Sequence, residues 1–235
     1  MTQFLSHRGE SDDAPENTVA AFHLAMERDS DGIELDIRLT ADRQVACLHN
    51  ETLEAVAGVP LAIADSTLAE LRRHWPVPTL AEALAELRPG KIMQIELKSS
   101  PELIPHLKTV LDAWPGDRRQ LMLSAFDPEN IAGAAHAFPD LPRIWLADLE
   151  QWFGRFPEAA AIAEQVKRIG GTGISFLATE AATAGFVRQL HEADLRVVCW
   201  GVNSDELGLG MAAIGVDAMT SNHAVALRRK WRLRV

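Results

Sequence analysis

Tyrosine is absent from the chain, aromatic residues make up only 6% of it, and cysteine occurs twice. Without tyrosine there are few flat platforms on which a sugar could stack. The two cysteines, Cys47 and Cys199, lie in apolar strand-like runs. Reduced, buried thiols are therefore expected, with no disulfide framework. No apolar run approaches the roughly 20 residues of a membrane span. The opening "MTQFLSHRGE" lacks a basic segment followed by an apolar one, so no secretory signal is read there. These absences predict a soluble, cytoplasmic protein with no stable membrane insertion. Low-complexity segments, linkers and fixed-period repeats are also missing, which predicts a single domain over 1–235. Basic residues are in deficit too, with a net charge of −10. An acidic body disfavours nucleic acid, whose phosphates need clustered Lys and Arg. The exception is the basic end "LRRKWRLRV", read as a last helix whose cations suit its negative C-terminus.

What is present is an alternation of short apolar runs with amphipathic stretches. Strands are predicted at 3–7, 32–37, 92–97, 120–124, 143–147, 172–176, 195–200 and 215–220. Helical patterns cover 16–29, 79–88, 102–114, 127–138, 157–169, 180–193, 204–213 and 223–232. Eight such units predict a (β/α)8 TIM barrel, with a doubly wound open sheet as the alternative. "VACLHN" follows the second strand after only "TADRQ". So short a link requires an antiparallel β-hairpin. Folded about Ala41–Asp42, that hairpin would set His49 opposite Glu34.

Side chains two apart on a strand share a face. In a barrel the apolar face meets the helices, so Ile33, Leu35 and Ile37 point outward and Glu34 and Asp36 into the lumen. The third strand puts Gln94, Glu96 and Lys98 on the inward parity, and the first ends at His7 and Arg8. Each has an ordinary reading: a solvated strand face, a lumen ion pair, a core histidine. Their shared position at inward-facing strand ends favours a site. Three converging carboxylates call for a positive centre, and a hard divalent cation with oxygen ligands supplies it. Arg8 and Lys98 then leave room for a phosphate diester, and His7 and His49 titrate near neutrality, as acid–base catalysis requires. Trp200 ends the seventh strand and could floor the pocket. Paired barrel carboxylates also cleave sugars, but the adjacent cations favour phosphate.

The residues "HRGESDDAPENT" at 7–18, "ELD" at 34–36, "LHN" at 48–50 and "ELK" at 96–98 resemble the glycerophosphodiester phosphodiesterase family. "LSAFDP", "VVCWGVN" and "GVDAMTSN" extend the likeness along the chain. The resemblance implies Glu34, Asp36 and Glu96 as ligands of one divalent cation, Mg²⁺ or Ca²⁺, and His7 and His49 as the acid–base pair. It implies phosphate or substrate contacts from Arg8, Lys98, Glu16 and Asn17, with Trp200 at the pocket. The implied reaction is cleavage of a small glycerophosphodiester into sn-glycerol 3-phosphate and an alcohol. A related phosphodiesterase, a lysophospholipase D-type activity or a silent phosphate-binding module are the alternatives, and a homodimer is compatible with the sequence. The chain departs from the family where Asn50 follows His49 in place of Asp, and in a shortened segment after it.

Overall fold

Strand β1 (Gln3–His7) hydrogen-bonds to strands from both ends of the chain, and this closes the sheet. Its neighbours are β2 (Gly32–Leu39) and β9 (Ala218–Ser221). Between them run β4 (Ile92–Leu97), β5 (Leu121–Ala125), β6 (Arg143–Ala147), β7 (Gly173–Leu177) and β8 (Arg196–Trp200), all parallel. The short β3 (Val45–Cys47) pairs antiparallel with β2, outside the barrel. The structure, a computed structural model, describes residues 1–234. Closure settles the architecture as the (β/α)8 barrel and not the open sheet.

Strand parity divides the interior as the residue pattern demands. Ile33, Leu35 and Ile37 join Met93, Ile95 and Leu97 in the main core under the helices. The opposite parity fills the lumen. Leu5, Met122, Ile144, Val198 and Ala218 form its apolar core, while Glu34, Asp36, Gln94 and Glu96 are buried polar residues towards the strand C-termini. Gly32 permits the close approach of β2 to β4, since a Cβ there would lie 2.2 Å from the Ile92 carbonyl oxygen.

Helix starts follow their capping signals. Thr79 accepts from the Glu82 N–H while Glu82 answers the Thr79 N–H, a capping box opening the helix Leu80–Glu86. Asp127 caps Pro128–Ala137 with Pro in its first turn. The basic last helix forms at Ala224–Arg232. Its Arg228 is buried and reaches Asp31 (2.6 Å) and Asp29 (2.7 Å) at the other end of the sequence.

Three expectations need correction. The first helix spans Val19–Glu27, not 16–29. Asn17 adopts a left-handed φ of 55° and Thr18 is the cap, which leaves 16–18 in the loop. The last barrel strand covers Ala218–Ser221, not 215–220, because Gly215 takes φ 92° and ends the preceding helix. The hairpin register also shifts by one residue. Ile37 faces Cys47 and the Leu48 N–H donates to the Asp36 carbonyl (3.0 Å), so the turn centres on Asp42. The Thr40 hydroxyl fixes that turn by donating to Asp42 Oδ1 (2.6 Å) and accepting from the Gln44 N–H (2.9 Å), with Arg43 left-handed at φ 61°. Pairing ends at Cys47, and His49 lies in the loop beyond it. After it, residues such as Leu53, Ile63, Leu71 and Val77 build a small separate apolar cluster with Ala46 and Leu48.

Candidate active site

The loop after β1 is wound tightly around the carboxylates of β2. Arg8 takes a left-handed φ of 56° and Gly9 one of 82°. A Cβ on Gly9 would come within 2.6 Å of the Ala21 backbone, so only glycine fits there. The turn aims the Arg8 N–H at Glu34 Oε2 (3.2 Å). Its guanidinium donates through Nη1 to both oxygens of Glu16, each at 3.0 Å. Arg8 Nε lies 3.2 Å from Asp36 Oδ2. The Asn17 N–H donates to the Arg8 carbonyl (3.0 Å) and holds the loop shut.

Glu34, Asp36 and Glu96 offer carboxylate oxygens that all lie within 4.8 Å of one another. Adjacent parallel strands create this cluster, since Glu34 pairs with Gln94 and Asp36 with Glu96 in register. The three environments differ. Burial raises the Glu34 pKa well above the carboxylate range, with the charges of Asp36 and Glu96 adding to it. Burial and Asp36 push Glu96 up to about 7. Burial acts upward on Asp36 as well, but Lys98 and Arg8 outweigh it and hold its pKa low. Lys98 Nζ sits 2.5 Å from Glu96 Oε1 and 3.4 Å from Asp36 Oδ1. Both oxygens are buried, with Lys98 as the cation beside them. Three buried carboxylates this close, two of them with pKa values pushed up in part by a neighbour's charge, fit a hard divalent cation.

The two histidines face the same cavity, a space of about 460 Å³ also lined by Arg8, Glu34, Glu96 and Lys98. His7 Nδ1 is 2.7 Å from Asn222 Oδ1, which leaves Nε2 on the Glu34 side at 3.9 Å. His49 Nδ1 is 2.5 Å from Asn50 Oδ1. Arg38 Nε donates to the His49 carbonyl (2.8 Å) and so fixes the loop that carries it. Burial lowers the pKa of both imidazoles. Arg8 adds to the effect at His7, and the Asp36 charge opposes it at His49.

Trp200 lines the cavity and meets Phe126 edge-on, with ring centroids 5.4 Å apart. Lys98 Nζ lies 5.5 Å from the Phe126 ring centre. Glu16 and Asn17 do not line the cavity; Glu16 holds Arg8, which does, and Asn17 holds Asp36, which is buried behind the lining. Sequence reasoning missed Asn222, Phe126 and Arg38 as site neighbours. Asn222 stands in "TSN" and Phe126 in "LSAFDP", both within the resemblance, and Arg38 shares the inward parity of Glu34 and Asp36.

Fold and site together define a (β/α)8-barrel enzyme whose strand ends gather carboxylates, cations and imidazoles around one cavity. Residues 7–226 match the model of the glycerophosphoryl diester phosphodiesterase family, and the chain belongs to that family. A Bacillus altitudinis glycerophosphodiester phosphodiesterase is 29% identical, covering 99% of this chain and all of its own length. The crystal structure of the Thermotoga maritima glycerophosphodiester phosphodiesterase superposes with a TM-score of 0.82 at 23% identity, over 98% of both chains. An Oleispira antarctica phosphodiesterase, solved with the product sn-glycerol-3-phosphate, gives 0.85 at 24% identity over 97% of this chain and 96% of its own. At these identities the two structures establish a shared barrel.

Proposed function

We propose that this protein, acting as one domain over 1–235, hydrolyses small glycerophosphodiesters to sn-glycerol 3-phosphate and an alcohol. The observation that carries the reading is the cluster of Glu34, Asp36 and Glu96, with Arg8, Lys98, His7 and His49 around the cavity that Glu34 and Glu96 line. Family membership supports it. The acidic body disfavours nucleic acid, Arg8 and Lys98 in the cavity suit a small anionic substrate, and a cytoplasmic location accords with the buried free cysteines. No helix among the described residues is long and apolar enough to cross a membrane.

Glu34, Asp36 and Glu96 would hold one divalent cation, Mg²⁺ or Ca²⁺. When bound, it supplies Lewis-acid neutralisation of phosphate charge. Arg8 and Lys98 bind and orient the phosphate as cationic donors. Asn222 and Asn50 offer oxygens that only accept, so His7 and His49 carry their Nδ1 protons there and expose Nε2. One imidazole takes the proton of the attacking hydroxyl at Nε2 as the new P–O bond forms. The other, protonated at Nε2, gives its proton to the departing alkoxide as the old P–O bond breaks. The nucleophile is the glycerol 2-hydroxyl, giving a cyclic phosphate that water then opens, or water itself. A cyclic phosphate trapped in a single turnover selects the first route, and its absence selects the second.

Cation titration of the wild type and of Glu34→Gln, Asp36→Asn and Glu96→Gln tests the assignment. One bound cation per chain, weakened by every substitution, supports it. Binding indifferent to all three overturns it.

A further inference from the structure

His7 and His49 are oriented alike, each through Nδ1 to an amide oxygen, but the two oxygens are held very differently. Asn50 is the sequence neighbour of His49 and travels with it. Asn222 reaches His7 from the far end of the chain. Strands β1 and β9 pair in register from Gln3 with Ala218 to Ser6 with Ser221, and the ladder stops there. His7 and Asn222 are the next residues on each side, so their contact lies just past the last backbone pairing. A tie beyond the ladder is needed to keep the two loops together.

That tie stands one residue further on. His223 Nδ1 lies 3.1 Å from Asp12 Oδ2, joining the loop after β9 to the loop after β1. Both ends are anchored. The Asp13 and Ala14 N–H groups donate to the Glu10 carbonyl (3.2 and 3.1 Å) and close the turn that carries Asp12. Glu10 is itself buried, accepting from Ser6 Oγ (2.7 Å) and Arg28 Nη1 (3.1 Å). On the other side the His223 N–H donates to Ser221 Oγ (3.1 Å), which donates to the Val202 carbonyl (3.1 Å). Asn222 is therefore held between a seated Ser221 and a tethered His223.

We infer that the Asp12–His223 pair is a positioning device for His7. It keeps Asn222 Oδ1 on the His7 Nδ1 and so holds Nε2 where the reaction uses it. The inference rests on the acid–base reading of His7 and adds the residues that hold its ring. A carboxylate only accepts, so His223 Nδ1 carries the proton in this contact whether or not the ring is charged. His223 and Asp12 are 56% and 49% exposed, and a pair so placed is worth at most about fivefold in an equilibrium. The effect on turnover has a second ceiling. A tie that acts through Asn222 cannot cost more than the loss of Asn222 itself. His223 also lines the cavity, so direct contact with substrate is the competing role, and kinetics separate the two. A tie acts on kcat through His7, whereas a contact acts on KM and does not need Asn222.

The test is steady-state kinetics of the full chain on glycerophosphocholine with Mg²⁺ or Ca²⁺ present. Asp12→Ala and His223→Ala are each expected to lower kcat about two- to fivefold, with KM nearly unchanged. The double variant should lose no more than either alone, because the two residues form one contact. In an Asn222→Ala background neither substitution should lower kcat further. A loss that persists undiminished in that background overturns the inference, and so does a loss confined to KM. Unchanged kcat in both single variants overturns it as well. These three results leave the phosphodiesterase reading standing, since wild-type turnover and its dependence on His7 are untouched. No turnover in the wild type, or none lost in His7→Ala, overturns that reading first and this inference with it.

Discussion

Asn17 grips Asp36 from both sides. Its amide nitrogen donates to Asp36 Oδ2 (2.8 Å), and its amide oxygen accepts from the Asp36 N–H (3.2 Å). The left-handed backbone at Asn17 presents the side chain this way. The clamp joins the loop after β1 to the carboxylate of β2 that stays ionised beside Lys98 and Arg8. Asn17→Ala removes one donor and one acceptor from a buried site. It is expected to cost about 1–3 kcal/mol of stability and about 10–100-fold in cation affinity. Asn17→Asp sets a second carboxylate against Asp36 and is expected to cost more. Chemical unfolding and cation titration measure both; unchanged affinity in both variants would remove Asn17 from the site's support.

The carboxylates make the stability of the cation-free protein depend on pH. Glu96 is raised to about 7 by burial and by Asp36, and Glu34 is raised for the same reasons. The folded state thus holds these protons more tightly than the unfolded chain does. That contribution is complete below the ordinary value of 4.5 and is lost as pH rises through about 7. A cation needs the ionised form, so its stabilising effect is expected to grow over the same window. Melting curves from roughly pH 5 to pH 8, with chelator and with Mg²⁺ or Ca²⁺, test the sign. A cation effect that shrinks as pH rises contradicts it.

Much of this arrangement was legible in the sequence because strand parity is a strict rule. Once Ile33, Leu35 and Ile37 are given to the helices, Glu34 and Asp36 have only the lumen left. The same rule turns Gln94 and Glu96 inward. The count of strand–helix units pointed to the barrel but left the open sheet as an alternative, which the pairing of β1 with both β2 and β9 excludes. The hairpin register did not follow, because it depends on the Thr40 hydroxyl and the left-handed Arg43, and a turn shifted by half a residue changes every pairing. Asn222 was also out of reach, since it meets His7 across 215 positions of sequence. Nothing in the periodicity around Asn222 points to an imidazole.

His7→Ala and His49→Ala are each expected to lower turnover about 10²–10⁴-fold, the usual contribution of a positioned acid or base. Asn222→Ala and Asn50→Ala remove only the oxygens that orient the rings, so smaller losses are expected, falling on kcat more than on KM. The kinetics of the four variants against one glycerophosphodiester measure this order. Near-normal rates in both histidine variants would contradict the acid–base assignment.

Arg228 binds the last helix to the start of β2 at the end of the barrel away from the site. Asp31, one of its partners, also accepts from the Phe4 N–H (3.1 Å). Arg228→Met leaves Asp31 without its cation. Breaking a fully buried pair costs about 3–5 kcal/mol; about 2 kcal/mol is expected here, because Asp31 is 21% exposed and Asp29 62%. Denaturant unfolding measures the loss. A change below about 0.5 kcal/mol would make the contact an ordinary surface one.

The central claim is tested most directly by following the release of sn-glycerol 3-phosphate from a glycerophosphodiester such as glycerophosphocholine. The protein is assayed as purified, after exhaustive chelation, and after Mg²⁺ or Ca²⁺ is returned. The account predicts release matched one for one by the free alcohol, lost on chelation and restored by the cation. Release that persists undiminished through chelation, or no release under any of the three conditions, would contradict it.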